Sequence, residues 1–139
     1  MGRTPVKKVM YQVEKYVSEI TGESISGKRI MPETVASVTK KEKRDTSQVH
    51  AVIGGRAYPM KSPRRKALLL LNNILGGPGM NSRLNISLRE KRGYVYNVES
   101  GLTAYTDTGM FTIYFGSDKQ HAYKCVELVD KELKKLRDV

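Results

Sequence analysis

The segment Leu88-Arg89-Glu90-Lys91-Arg92-Gly93-Tyr94-Val95-Tyr96 carries the residue types best suited to chemistry in this sequence. Arg89 falls in the last turn of a short helix, Gly93 reverses the chain and Tyr96 enters the next strand, so both side chains can project from one end of the domain. A guanidinium and a phenol placed there can donate hydrogen bonds to a peptide carbonyl or an oxyanion. The residues alone leave a second reading open, with Arg89 complementing the helix C-terminus and Tyr96 packing in the sheet. Upstream, Gly76-Gly77-Pro78-Gly79 precedes Asn81-Ser82-Arg83 at the next helix start. Gly76, Gly77 and Gly79 can leave backbone amides free and let another chain approach closely, or they can simply make a tight helix-to-helix connection. The loop lacks the Gly-Lys-Ser/Thr ending of a phosphate-binding loop, and Pro78 removes one amide such a loop would use.

Metal and nucleophile chemistry find little support. The two histidines, His50 and His121, stand far apart and neither belongs to a His-x-x-Glu-His motif. His50 reads as a structural or surface residue of a strand, and His121 as a solvated residue one turn into the last helix. The single cysteine, Cys125, lies mid-helix beside an apolar stripe, where a small buried side chain is expected. It cannot form an internal disulfide or a Cys-rich zinc site. No Gly-x-Ser-x-Gly turn is present.

The elements that position these residues follow from periodicity. Val6, Val9, Met10, Val13, Tyr16, Val17 and Ile20 recur at helical spacing, which predicts a helix over 5–21 stopped at Gly22. A Gly/Ser-containing linker follows, and the domain layout expected is a helix at 1–22, a linker at 23–33 and the main domain at 34–139. Thr34 to Gly54 predicts two strands joined by the charged turn Lys40 to Asp45. Ser62 as cap, Pro63 as first helical residue and the run Ala67 to Leu71 predict a helix ended by a left-handed Gly76. A short helix over 82–92 presents Leu84 and Leu88 on one side. Tyr94 to Ala104 and Met110 to Gly116 predict a hairpin turning at 106–109. Ser117 and Gln120 form a capping box for a final amphipathic helix. The order α, ββ, α, α, ββ, α implies an α+β domain with a largely antiparallel sheet covered by helices.

Composition sets the outer bounds. The 139 residues suffice for one ordinary domain, and 39% hydrophobic with 28% charged residues is a globular balance. The longest strongly apolar run falls well short of the roughly 20 residues of a membrane-spanning helix, and the N-terminus has no apolar signal-peptide core. The net charge of +11 raises a polyanion as partner, but it is uneven: residues 1–66 carry +9 and residues 67–139 only +2. Without an aromatic-basic RNA-binding signature or a zinc finger, a nucleic-acid-binding module is a remote reading.

At the chemistry-bearing residues the sequence resembles a known family. Ala67-Leu68-Leu69-Leu70-Leu71-Asn72-Asn73-Ile74-Leu75-Gly76-Gly77, then Asn81-Ser82-Arg83-Leu84, then Leu88 through Val98, resemble the C-terminal half of the pitrilysin or insulinase-type zinc metallopeptidases. Within that family they are nearest the mitochondrial-processing-peptidase-like branch. Gln48 before the strand Val49 to Gly54, and Gly109 before Phe111-Thr112-Ile113-Tyr114, fit the same pattern. The resemblance covers residues 30–138, and the helix at 5–21 resembles the end of a preceding half. It implies two related α+β halves around a chamber, the first holding zinc on an inverted His-x-x-Glu-His motif and the second reaching across with an Arg and a Tyr. Arg89 and Tyr96 have the family's spacing of seven. On the resemblance they bind the substrate backbone and support the transition state. The chain is then the non-catalytic, substrate-binding half, with zinc in the parent protein's N-terminal half and none here. A peptide is its substrate, and an N-terminal catalytic half or a separate catalytic subunit its partner. The alternative within the family is a catalytically silent homologue acting as a structural subunit. Either way the chain alone is expected not to cleave peptides, and nothing in the sequence fixes a compartment.

Overall fold

Asn97, Glu99 and Gly101 alternate with Val98, Ser100 and Leu102, and Thr112 and Tyr114 alternate with Phe111, Ile113 and Phe115, so each stretch has one face to bury. In the computed structural model, which describes residues 4–18, 20, 22, 27, 30, 33 and 36–138, both stretches are strands of one sheet. The chain divides into two compact units, Met1–Ile30 and Met31–Val139.

The first unit holds helix α1 (Val6–Val17), whose Val9, Met10, Val13 and Tyr16 form the expected apolar stripe and are all exposed. Gly22 is not its stop. The helix ends at Val17, where Ser18 turns both its backbone N–H and its hydroxyl onto the Glu14 carbonyl. A serine side chain that competes for a helix carbonyl is a local terminator in its own right. The expected linker over 23–33 lies almost entirely outside the described residues.

The second unit is an antiparallel sheet of β1 (Val49–Ala57), β2 (Val95–Ala104) and β3 (Gly109–Ser117) in the order β1-β3-β2. Helices α2 (Arg65–Gly76) and α3 (Ala122–Arg137) and a π-helical turn, Asn85–Glu90, accompany it. This is the expected α+β class. Strands β2 and β3 form the expected hairpin, closed by the Tyr105 N–H on the Thr108 carbonyl at 2.9 Å. The other expected hairpin does not form. Residues 36–47 contain no strand, and β1 pairs with β3 instead. The alternation at Ala36 to Thr39 meets the pattern of a strand, but a strand also needs a ladder partner. Here the charged run is drawn to α3, where Lys41 Nζ donates to Tyr123 Oη at 2.8 Å and lies 5.0 Å from the ring centre. Thr34 and Val35 lie outside the described residues.

The core gathers Leu75 of α2, Leu84 and Leu88 at the π turn, Val95 and Val98 of β2, Ile113 and Phe115 of β3, and Cys125 and Val129 of α3. Full burial of an aliphatic side chain contributes about 1.5–3 kcal/mol. Other helix boundaries also differ from expectation. Helix α2 begins at Arg65, Ser62 Oγ accepting the Arg64 N–H in the turn before it, and Gly76 is its last residue rather than a left-handed stop. Gly76 is small for packing: a Cβ there would stand 2.8 Å from Ser100 Oγ and 2.9 Å from Ser100 N. Ser100 Oγ in turn donates to the Asn72 carbonyl at 3.0 Å and fastens α2 to β2. The capping box of Ser117 and Gln120 is absent. Asp118 Oδ1 accepts the Gln120 and His121 N–H groups at 3.0 and 2.9 Å, while Ser117 is buried and donates to the Asp118 carbonyl.

Candidate functional site

Arg89 and Tyr96 are joined by a turn that local chemistry fixes closely. The π-helical turn is closed by the Lys91 N–H on the Ile86 carbonyl at 3.0 Å, with Leu88 fully buried beneath it. The Arg89 carbonyl accepts the Gly93 N–H at 2.7 Å, and Tyr94 N–H returns to the Leu88 carbonyl at 3.0 Å. Gly93 is the expected stop, at φ 64°. Strand β2 then starts with a bulge: Val95 pairs with Ser117 and Asn97 with Gly116, which leaves Tyr96 as the extra residue. A bulge of this kind re-aims one side chain without disturbing the rest of the strand. Tyr96 is 60% exposed and Arg89 is exposed. Neither side chain has a hydrogen-bond or ion-pair partner among the described residues. The family resemblance pointed to these two residues, but nothing in the sequence marked the π turn or the bulge.

The sheet buries one face under α2, the π turn and α3, and no helix of the described residues in this unit covers the other, where Val52 and Met110 are exposed. That face carries cross-strand rows. Nearest Tyr96 is the row His50, Gly116, Asn97, and next to it Val52, Tyr114, Glu99. His50 is a surface residue, as expected, but a held one. Its Nδ1 lies 2.8 Å from Tyr114 Oη, and the two rings stack at 6.0 Å between centres and 14° between planes. Asn97 was not singled out from sequence, since an exposed asparagine at the start of a strand carries no signal of its own.

The glycine loop holds the π turn in place. Gly77 N–H is spent on the Asn73 carbonyl at 3.3 Å, and the Gly79 carbonyl accepts the Ser82 N–H at 3.0 Å and Asn85 Nδ2 at 3.4 Å. Asn85 is buried and also donates to Ser82 Oγ at 2.8 Å. From the far side, Arg83 and Lys135 both grip the buried Glu132, at 3.0 and 2.8 Å, tying the turn to α3. Burial pushes the Glu132 carboxyl up, but the two cations outweigh it and the net shift is downward.

His121 departs from the solvated reading. Its ring stacks on Tyr94 at 4.1 Å, and its Nδ1 lies 2.8 Å from Asp118 Oδ2. The sequence hid this because Tyr94 and His121 meet only once β3 has returned beside β2. Cys125 is fully buried, and burial pushes its thiol up, away from the reactive thiolate. A catalytic zinc needs three or so converging ligands. Among the described residues no three His, Cys, Asp or Glu side chains converge, and the two histidines are engaged by Tyr114 and Asp118. These residues do not fit a catalytic zinc.

Known proteins resemble this arrangement. Residues 1–138 match the family model described as the peptidase M16 inactive domain. The "uncharacterized zinc protease YmxG" of Bacillus subtilis is 36% identical over 95 residues, which covers 68% of this chain and 23% of the relative. An "uncharacterized zinc protease" of Rickettsia bellii is 31% identical over 144 residues, covering 89% of this chain and 34% of the relative. The chain thus spans about a quarter to a third of these two relatives. Among solved structures, a peptidase M16 inactive domain from Pseudomonas fluorescens aligns with TM-score 0.62 and 31% identity, over 65% of this chain and 22% of that one. The periplasmic protease PqqL of Escherichia coli shares the fold, with TM-score 0.60 at 21% identity over 96% of this chain and 15% of its own.

Proposed function

The chain belongs to the peptidase M16 inactive-domain family, the pitrilysin and insulinase-type peptidases, and from that premise we propose that it is the substrate-binding, non-catalytic part of a zinc-dependent peptidase. One observation carries the reading: Arg89 and Tyr96 stand on consecutive backbone irregularities, both exposed and both with their donors unspent among the described residues. Arg89 offers a planar fork of donors to a substrate carbonyl, and the Tyr96 hydroxyl offers a second donor. An extended peptide that passes from the π turn over Tyr96 at the end of the sheet is held by these groups, and the loop of Gly76, Gly77 and Gly79 fixes the turn that presents Arg89 to it. The zinc of the relatives' names is assigned to a catalytic half or separate subunit that this chain meets as a partner. The nearness to the mitochondrial-processing-peptidase-like branch rests on the blocks at 67–77, 81–84 and 88–98.

Fluorescence anisotropy of a fluorescein-labelled decapeptide of Ala, Gln and Lys titrated with this chain tests the reading. A hydrogen bond to a charged group contributes about 1.5–3 kcal/mol, so Arg89→Ala weakens binding by about ten- to a hundredfold. Tyr96→Phe, which loses one neutral hydrogen bond, weakens it by about fivefold. Both residues are exposed, so the variants keep the native fold. Unchanged affinity in both variants replaces this reading with the silent-homologue one. Chelator-sensitive cleavage of the peptide by the purified chain overturns the non-catalytic assignment.

A further inference from the structure

The row across the open face beside Tyr96 has a glycine in its middle, buried beneath its neighbours. Gly116 is the central member, with His50 of β1 on one side and Asn97 of β2 on the other. A side chain at Gly116 would begin 2.9 Å from Asn97 Oδ1, 3.6 Å from Gln48 Oε1 and 3.8 Å from His50 Nδ1. Three polar groups from two strands and the segment before β1 therefore lean toward one point that this strand leaves without a side chain. The amides of Gln48 and Asn97 have no hydrogen-bond partner among the described residues. His50 is held by the Tyr114 hydroxyl on Nδ1, which leaves Nε2 as its unspent nitrogen.

A carboxamide offers a donor and an acceptor together, which is the complement of one backbone peptide unit. Two carboxamides and a fixed imidazole closing over a buried glycine suit recognition of main chain, because together they present donors and acceptors rather than an apolar surface. We infer that Gln48, His50 and Asn97, gathered over Gly116, form a seat for one backbone peptide unit of the bound substrate, next to the unit held by Arg89 and Tyr96. The inference rests on the peptide-binding reading above. Gly116 is then a specificity-neutral residue whose smallness is functional: a methyl group there pushes Asn97 away from the seat. Tyr114 is a positioning residue, acting through the His50 ring.

The test uses the same labelled decapeptide and a set of analogues, each N-methylated at one backbone amide. Asn97→Ala and Gln48→Ala each weaken binding of the parent peptide by about three- to tenfold, the effect of one neutral hydrogen bond. One analogue binds native chain weakly, and its deficit disappears in Asn97→Ala, because methylation and mutation remove the same contact. Gly116→Ala reproduces the loss. Should its place in the central strand cost folding, the Gln48 and Asn97 variants on the surface carry the test alone. If Asn97→Ala and Gln48→Ala bind as native while Arg89→Ala and Tyr96→Phe do not, the seat is overturned and the peptide-binding reading stands. If all four bind as native, both fall. An N-methylation deficit that is equal in native and Asn97→Ala chains also overturns the seat.

Discussion

Gly76 and Gly93 both forbid a side chain, for different physical reasons. A Cβ on Gly93 meets nothing within 4 Å, but the residue sits at φ 64°, which costs an L-residue roughly 1–2 kcal/mol. Gly76 has an ordinary backbone and no room, so an alanine there overpacks the α2–β2 contact at a cost of about 1–3 kcal/mol. Urea denaturation separates the two. Gly93→Ala and Gly76→Ala both lower the midpoint, and Gly93→Asn recovers much of the loss because asparagine tolerates the left-handed region. Equal midpoints for Gly93→Ala and Gly93→Asn contradict the conformational account. Gly93 was legible in the sequence as a chain reversal between helix and strand. Gly76 was not, because a Gly-Gly-Pro run signals a stop without telling which glycine faces Ser100. Arg89 and Tyr96 became candidates through the family resemblance, their types alone leaving the structural reading open, whereas the bulge that aims Tyr96 depends on which residue of β3 it faces, a matter of register.

Helix α3 is fastened at both ends by carboxylates, and this gives the fold an acid limit. The side chain and backbone of His121 hold the Asp118 carboxyl below its ordinary value of 3.8. Glu132 is pushed up by burial, yet Lys135 and Arg83 bring it below its ordinary 4.5. Both groups release their protons more readily in the folded chain than in the unfolded one. Their stabilisation is therefore complete above those ordinary values and is lost as pH falls through the lower folded ones. Denaturation midpoints measured from pH 6 to pH 3 should fall for the native chain. They should fall less steeply for the Asp118→Asn, Glu132→Gln double variant, in which the asparagine still caps but neither group titrates. Parallel curves contradict this origin. At this scale the sequence was informative where partners are close along the chain: the β2–β3 hairpin and the three helices emerged from periodicity together with turn and capping residues. It misled at Ala36 to Thr39, where alternation is satisfied but Lys41 commits the segment to Tyr123 of α3. It also misled at Ser117, whose burial removes it from capping.

Across the whole chain, the sheet is assembled from one local and one distant pairing. Ala104 and Gly109 face each other over a short loop, whereas Val49 must find Ser117, with α2, the π turn and β2 all lying between them in sequence. No periodicity could reveal this, because β1 looks like half of a hairpin with the residues before it. The charge is distributed along the same division, with most of the +11 in residues 1–66 and little in the part that holds Arg89 and Tyr96. Closing a short loop costs less entropy than closing a long one, so the hairpin is the sheet's early part and β1 its late one. By the same logic β1 is the first strand to detach. In native-state hydrogen exchange, the β1 amides that donate to β3 should exchange faster than the β2 amides that donate to β3. The reverse order contradicts a late-docking β1.

That order gives β1 a second meaning. Arg89, Tyr96 and Asn97 are all in place once the hairpin and π turn have formed, but Gln48 and His50 arrive only with β1. On the peptide-binding proposal, recently synthesised chain would gain its grip on peptide in two instalments. A peptide bound across both would act as a clasp, slowing the departure of the one strand that nothing local retains.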